Sequence, residues 1–97
     1  MNEETNNAVL FAAANGPNEM IDHLLTKYGM DINYANNNGN NALLVAAHFG
    51  YNHTIKLLVN KHGLNINSVN CENKNALQLA TENGQNYTAN YLKDEYE

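Results

Sequence analysis

The sequence predicts an all-α solenoid: three stacked helix–turn–helix units with turn-bearing loops, repeating every 34 residues. Two observations predict it. Shifted by 34 places, NAVLFAAANG at 7–16 falls on NALLVAAHFG at 41–50, which falls on NALQLATENG at 75–84, and GMDIN at 29–33 falls on GLNIN at 63–67. Between the repeats, Gly29 to Asn41 reads GMDINYANNNGNN, with six Asn and two Gly. Such residues favour turns and left-handed backbone, so this segment is not helix interior. Each unit is therefore two short helices and a long loop. A chain of 97 residues holds three units in one domain, at about 1–35, 36–69 and 70–97.

In the second unit the first helix is expected from about Ala42 to Phe49 and the second from Asn52 to Lys61, with equivalents in the other two units. Gly16, Gly50 and Gly84 are each followed two places on by Asn18, Asn52 and Asn86, and Ile21 and Leu24 fall on Ile55 and Leu58. The expected core is Val9, Ile21, Leu24, Leu25, Ile32, Leu43, Val45, Ile55, Leu58, Val59, Ile66, Leu77, Leu79 and Leu92, with Ala12, Ala46 and Ala80 allowing close approach between units. In the third unit Thr81, Ala89 and Lys93 stand where the second has Ala47, Ile55 and Val59. That is the polar outer face of an end unit, expected of a complete protein or a C-terminal piece.

A period of 34 is nominally that of a tetratricopeptide unit, but that unit is two long helices with tight turns. The internal pattern instead resembles the ankyrin repeat, written D-x-x-G-x, then T-P-L-H-x-A-A, then x-x-G-H, an apolar helix, and G-A-D-V-N. Gly39 matches the turn glycine, Leu43, Ala46 and Ala47 the first helix, Gly50 the interhelix glycine, Ile55, Leu57 and Leu58 the second helix, and Gly63, Ile66 and Asn67 the closing motif. One residue inserted between the second helix and Gly63, and one before Gly29, lengthens the period. T-P is replaced by Asn-Ala in all three units, and the family's His by Leu10, Leu44 and Gln78. Asn caps a helix as Thr does and Ala is a sound first helical residue, so the cap is expected to survive while the hydroxyl–imidazole bond is lost. Asn73 replaces the third turn glycine and tolerates positive φ.

The resemblance implies a non-enzymatic module that binds another protein through its concave face, formed by turn tips and first helices. Carried over by register, the partner-binding positions are Glu3, Glu4, Ala14 and Asn15 in the first unit and Asn37, Asn38, Asn40, His48 and Phe49 in the second. In the third they are Cys71, Glu72, Lys74, Glu82 and Asn83. An exposed Phe49 beside His48 is the kind of side chain that dominates an interface, unless it folds against the neighbouring unit. LTKYGMDIN, ending at Asn33, resembles the pattern modified by the asparaginyl hydroxylase that acts on ankyrin proteins; the alternative is an Asn that shapes its own turn. The alternative functions are a spacer or C-terminal cap of a larger ankyrin protein, and a metal-binding or enzymatic accessory domain.

Composition narrows the classes further. Five lysines, no arginine and ten acidic residues give a net charge of −5, the wrong sign for a nucleic-acid partner. No apolar run would span a bilayer, and MNEETNN lacks the pattern of a signal peptide, so a soluble monomer without a membrane partner is expected, intracellular and cytoplasmic, or in a host cytosol for a secreted effector. Cys71 is the sole cysteine, so no disulfide forms within the chain. The 21 asparagines, interleaved with ordered apolar positions, are expected from biased codon usage in an AT-rich genome such as that of a protist or intracellular bacterium, the alternative being a low-complexity chain prone to β-aggregation. His23, His48, His53 and His62 lack the close Cys/His pairing of a zinc site and read as surface residues, while Tyr28, Tyr51 and Tyr87 read as half-exposed packing residues. No nucleophile triad, phosphate-cradling Gly loop or carboxylate pair occurs, so no cofactor and no metal are expected.

Overall fold

The structure, a computed structural model, describes residues 3–15, 18–27 and 29–96, with the side chains of residues 3–7 and 18 outside that description. Six helices follow in order: α1 Glu3–Asn15, α2 Asn18–Lys27, α3 Ala42–Phe49, α4 Asn52–Lys56 continuing as a π turn Leu57–Lys61, α5 Ala76–Glu82 and α6 Asn86–Tyr96. No strand occurs among the described residues. The inner helices α1, α3 and α5 stack in a row, and each packs against the second helix of its own unit.

Helix ends follow the local sequence. Asn41 takes an extended conformation and its Oδ1 accepts the Leu44 N–H at 3.0 Å, capping α3. Asn75 caps α5 in the same way, and Gln78 returns a bond to the Asn75 N–H, each 2.9 Å long. Gln78, which departs from the family's His, therefore completes a reciprocal cap. Gly50, at φ 80°, ends α3: its N–H bonds to Ala47 O, and the Tyr51 N–H bonds to Ala46 O at 2.9 Å.

Two expectations need correction. Asn7 is no cap, because α1 begins at Glu3; Glu-Glu-Thr-Asn-Asn holds no Gly or Pro to stop the helix from extending, and the side chain of Asn7 lies outside the described residues, as do Gly16 and Tyr28. The extra residue of the second unit sits inside the second helix rather than after it. The His62 N–H reaches back five residues to Leu57 O at 3.3 Å, and the Leu64 N–H closes the helix on Leu58 O at 3.0 Å. A π turn thus absorbs one residue without disturbing Leu58 or the loop beyond.

Val9, Ile21, Leu24, Leu43, Ile55, Leu58, Leu79 and Leu92 are buried, whereas Leu25, Ile32, Val45, Val59, Ile66 and Leu77 are half-buried at the core's edge. Leu10, Leu44 and Leu64 also belong to the core. Leu10 and Leu44 occupy the family's His position, so apolar packing takes the place of the missing imidazole bond. Ala12, Ala46 and Ala80 are buried between inner helices. In the third unit Thr81 and Lys93 are exposed while Ala89 stays buried, so the outer face is polar around one small apolar residue.

Polar ties join the second helices. Buried Thr88 donates to Asn52 Oδ1 at 2.5 Å, and Asp22 of the first unit accepts from Lys61 at 2.8 Å and from His62 Nε2 at 3.0 Å. The Lys61 ammonium is the main cause that holds the Asp22 carboxyl below its ordinary value. A depressed carboxyl contributes stability above its unfolded pKa and loses it as pH falls through the folded value.

Leu44→Ala is expected to lower unfolding stability by about 2–5 kcal/mol, read as a lower urea midpoint, because the fully buried side chain leaves a cavity. Asp22→Asn is expected to be less stable than wild type at neutral pH, with the gap closing below about pH 4 and in high salt. Thermal melts across pH measure it; a gap that persists at about pH 2 would show that the Asp22 carboxylate is not what joins the two units.

Candidate functional site

The turn tips are built by side chains six residues before α3 and α5. Asn36 Oδ1 accepts from the N–H groups of Asn38 and Asn40 at 2.9 and 3.1 Å, while the Asn36 N–H bonds to Asn40 O and the Gly39 N–H to Asn36 O. Asn70 repeats this arrangement with Glu72 and Lys74 at 2.9 and 3.1 Å, and Asn73 stands in the glycine position at φ 61°.

Successive tips are latched together. The Cys71 N–H donates to Asn38 O at 3.0 Å, Asn70 Nδ2 donates to Asn40 Oδ1 at 3.0 Å, and Cys71 Sγ lies 3.9 Å from Asn37 O. An Asp at position 70 would form the internal turn bonds but would lack the Nδ2 donor that reaches the preceding tip. Asn36 and Asn70 are the site residues that sequence reasoning passed over. Their signal was present in the register, an Asn four places before Asn40 and Lys74 in both units.

Beside the tips, a groove of about 450 Å³ runs between the first two inner helices. Its lining includes Phe11, Val45, His48, Phe49, Asn36 and Asn40. Phe49 is 47% exposed and does not fold away against the neighbouring unit. Its ring meets His48 edge-on with centroids 4.7 Å apart and stacks near-parallel to Tyr51 at 6.3 Å, which fixes its direction. Phe11, 72% exposed, adds a second aromatic that sequence reasoning did not place here. It sits in register with Val45 and Leu79, both in the expected core, so its register carried no sign of exposure.

The remaining register-derived residues divide. Asn37 and Asn38 are exposed at the tip with their backbone carbonyls turned to Cys71, which is itself exposed. Asn83, like Asn15, bends its Nδ2 back to the carbonyl four residues earlier in its own helix, at 2.8 Å in both cases. Lys74 is held at 2.7 Å by Glu82 and at 3.8 Å by Glu72. The bond to Glu82 is the main cause that raises the Lys74 ammonium above its ordinary value, so it stays charged. Ala14 is half-buried and lines the groove, whereas the side chains of Glu3 and Glu4 lie outside the described residues. Asn33 is exposed, and its N–H bonds to Asp31 Oδ1 at 2.9 Å, so Asp31 shapes that turn.

On the other side, a groove of about 340 Å³ lies among the second helices, lined in part by Tyr51, His53, Tyr87 and Tyr91. Burial pushes the Tyr91 phenol up to about 12, so it remains un-ionised. Tyr51 is half-buried as expected, whereas Tyr87 is 81% exposed and packs little, because its position faces outward at the start of α6. His23 and His53 are exposed and His62 is held by Asp22. No group of three His, Cys, Asp or Glu among the described residues would hold a metal, and no described helix is long and apolar enough to cross a membrane.

Gly39 and Gly63 separate backbone strain from contact between tips. Both have positive φ, but a Cβ on Gly39 would lie 2.7 Å from the Cys71 nitrogen, while one on Gly63 meets nothing within 4 Å. Gly63→Ala is expected to cost about 1–2 kcal/mol for the left-handed conformation, and Gly39→Ala clearly more. Chemical denaturation of the pair checks this; equal losses would show that the latch between tips contributes nothing.

Comparison with known proteins accords with this architecture. Among curated proteins none matches the sequence. Among solved structures, a chain in the complex of the Bd0816 predatory endopeptidase from Bdellovibrio bacteriovorus with the immunity protein Bd3460 is similar, at 28% identity and a TM-score of 0.78. The match covers 90% of this chain and 45% of that one, so this chain spans less than half its length. The profile described as ankyrin repeats, three copies, matches residues 9–97, and with its stacked helix pairs, left-handed turn positions and latched tips the chain belongs to the ankyrin-repeat family.

Proposed function

We propose that this chain is a non-enzymatic interaction module that grips one protein partner by the groove between its first two inner helices and the adjoining turn tips. Ankyrin repeats are a protein–protein interaction fold, and the similar solved chain comes from a complex of two proteins. The observation that carries the reading is Phe49. A large apolar side chain stands half out of a rigid helix, oriented by His48 and Tyr51, and Phe11 is exposed in the same groove. Exposed aromatics on fixed backbone lose little entropy on binding and are frequent anchors of interfaces.

The test begins with cross-linking in the source cell to obtain the partner, followed by calorimetry with purified proteins. Phe49→Ala is expected to weaken binding about thirtyfold, the scale of an interface anchor, while Tyr87→Ala in the opposite groove leaves affinity within about twofold. The reverse pattern would move the site to the second helices. Indifference to both substitutions would favour a spacer or cap.

A further inference from the structure

Beyond the groove, the inner face changes character at the third unit. By register, Asn40 and His48, which line the groove, correspond to Lys74 and Glu82. In the third unit these two join in an ion pair at 2.7 Å, so the groove's continuation is closed by charge rather than left open.

The pair is unequal. Lys74 has Glu82 Oε1 at 2.7 Å and Glu72 Oε2 at 3.8 Å, two carboxylates around one ammonium, which leaves an excess negative charge. The Lys74 side chain is only 29% exposed, whereas those of Glu82 and Glu72 are 50% and 72% exposed. What an approaching molecule meets at this end is therefore carboxylate. Among the described residues the groove itself is lined by no Lys, Arg, Asp or Glu. Its polar lining is amide: the oxygens of Asn36 and Asn40 already accept bonds from Asn38, Asn40 and Asn70, which leaves their NH₂ groups to donate to a carbonyl.

We propose that the occupant is an extended segment of a partner protein that places one bulky apolar side chain against Phe11 and Phe49 and a Lys or Arg at the Glu72–Glu82 end. This rests on the groove being the binding surface. The spacing follows from the stack. Neighbouring helices pack about 8–10 Å apart, the anchor sits between α1 and α3 about one and a half such spacings from α5, and an extended chain advances about 3.3 Å per residue, so the cation lies about four residues from the apolar anchor. The segment's backbone carbonyls take the free amide NH₂ groups between the two. A segment with Asp or Glu at the cation's place meets two carboxylates whose shared ammonium, that of Lys74, is already engaged, and is rejected.

The test is selection of a displayed library of random nine-residue peptides on the full chain, alongside two double variants, Phe11→Ala with Phe49→Ala and Glu72→Gln with Glu82→Gln, each checked for folding by circular dichroism and melting. The wild type is expected to enrich peptides with Leu, Met, Phe or Trp about three to five residues from Lys or Arg. In a synthetic copy of an enriched peptide, changing its cation to Gln is expected to weaken binding roughly three- to fivefold on the wild type and to have no effect on the glutamine variant. Enriched peptides that need Phe11 and Phe49 but carry no cation, or carry acids, overturn the charge rule and leave the groove reading standing. Peptides indifferent to the phenylalanines, or no enrichment at all, overturn both.

Discussion

Stacking of the inner helices is the constraint on which the rest depends. A single helix pair with its loop cannot bury its own apolar face, so every unit borrows its neighbour's. Ala12, Ala46 and Ala80, all buried, keep the inner helices close enough for Leu43, Leu44 and Ile55 to form one continuous core. Once that distance is set, the tips come within reach of each other. The Cys71 N–H then finds Asn38 O, and Asn70 finds Asn40.

The same geometry explains the heavy use of asparagine. Asn41 and Asn75 cap helices, Asn36 and Asn70 hold tips, and Asn73 takes positive φ. In these roles one residue type combines an acceptor that mimics a turn, a donor that reaches a neighbour, and tolerance of left-handed backbone. Whatever filled the chain with Asn, the fold has put these copies to structural use.

The repeat is broken at a few side chains of the inner face. Phe49 stands at a position whose equivalents, Asn15 and Asn83, fold back onto their own helices. Lys74 and Glu82 replace Asn40 and His48 and exchange an open groove for an ion pair. A solenoid whose units were identical would present a uniform surface; the differences in these few side chains give it one end that is apolar and another that is acidic.

The sequence by itself determined the number of units, the class of fold, the caps at Asn41 and Asn75 and the left-handed positions at Gly39, Gly50 and Asn73, all of them later seen. These are legible because capping and positive φ are decided within a few residues along the chain. The long first helix, the π turn at Leu57–Lys61 and the burial of Leu10 and Leu44 were not legible. Nor was the meeting of Asp22 with Lys61 and His62, or of Phe11 with Phe49 in one groove. Each of these depends on how far one unit is offset and rotated against the next, and only the packed structure sets that offset.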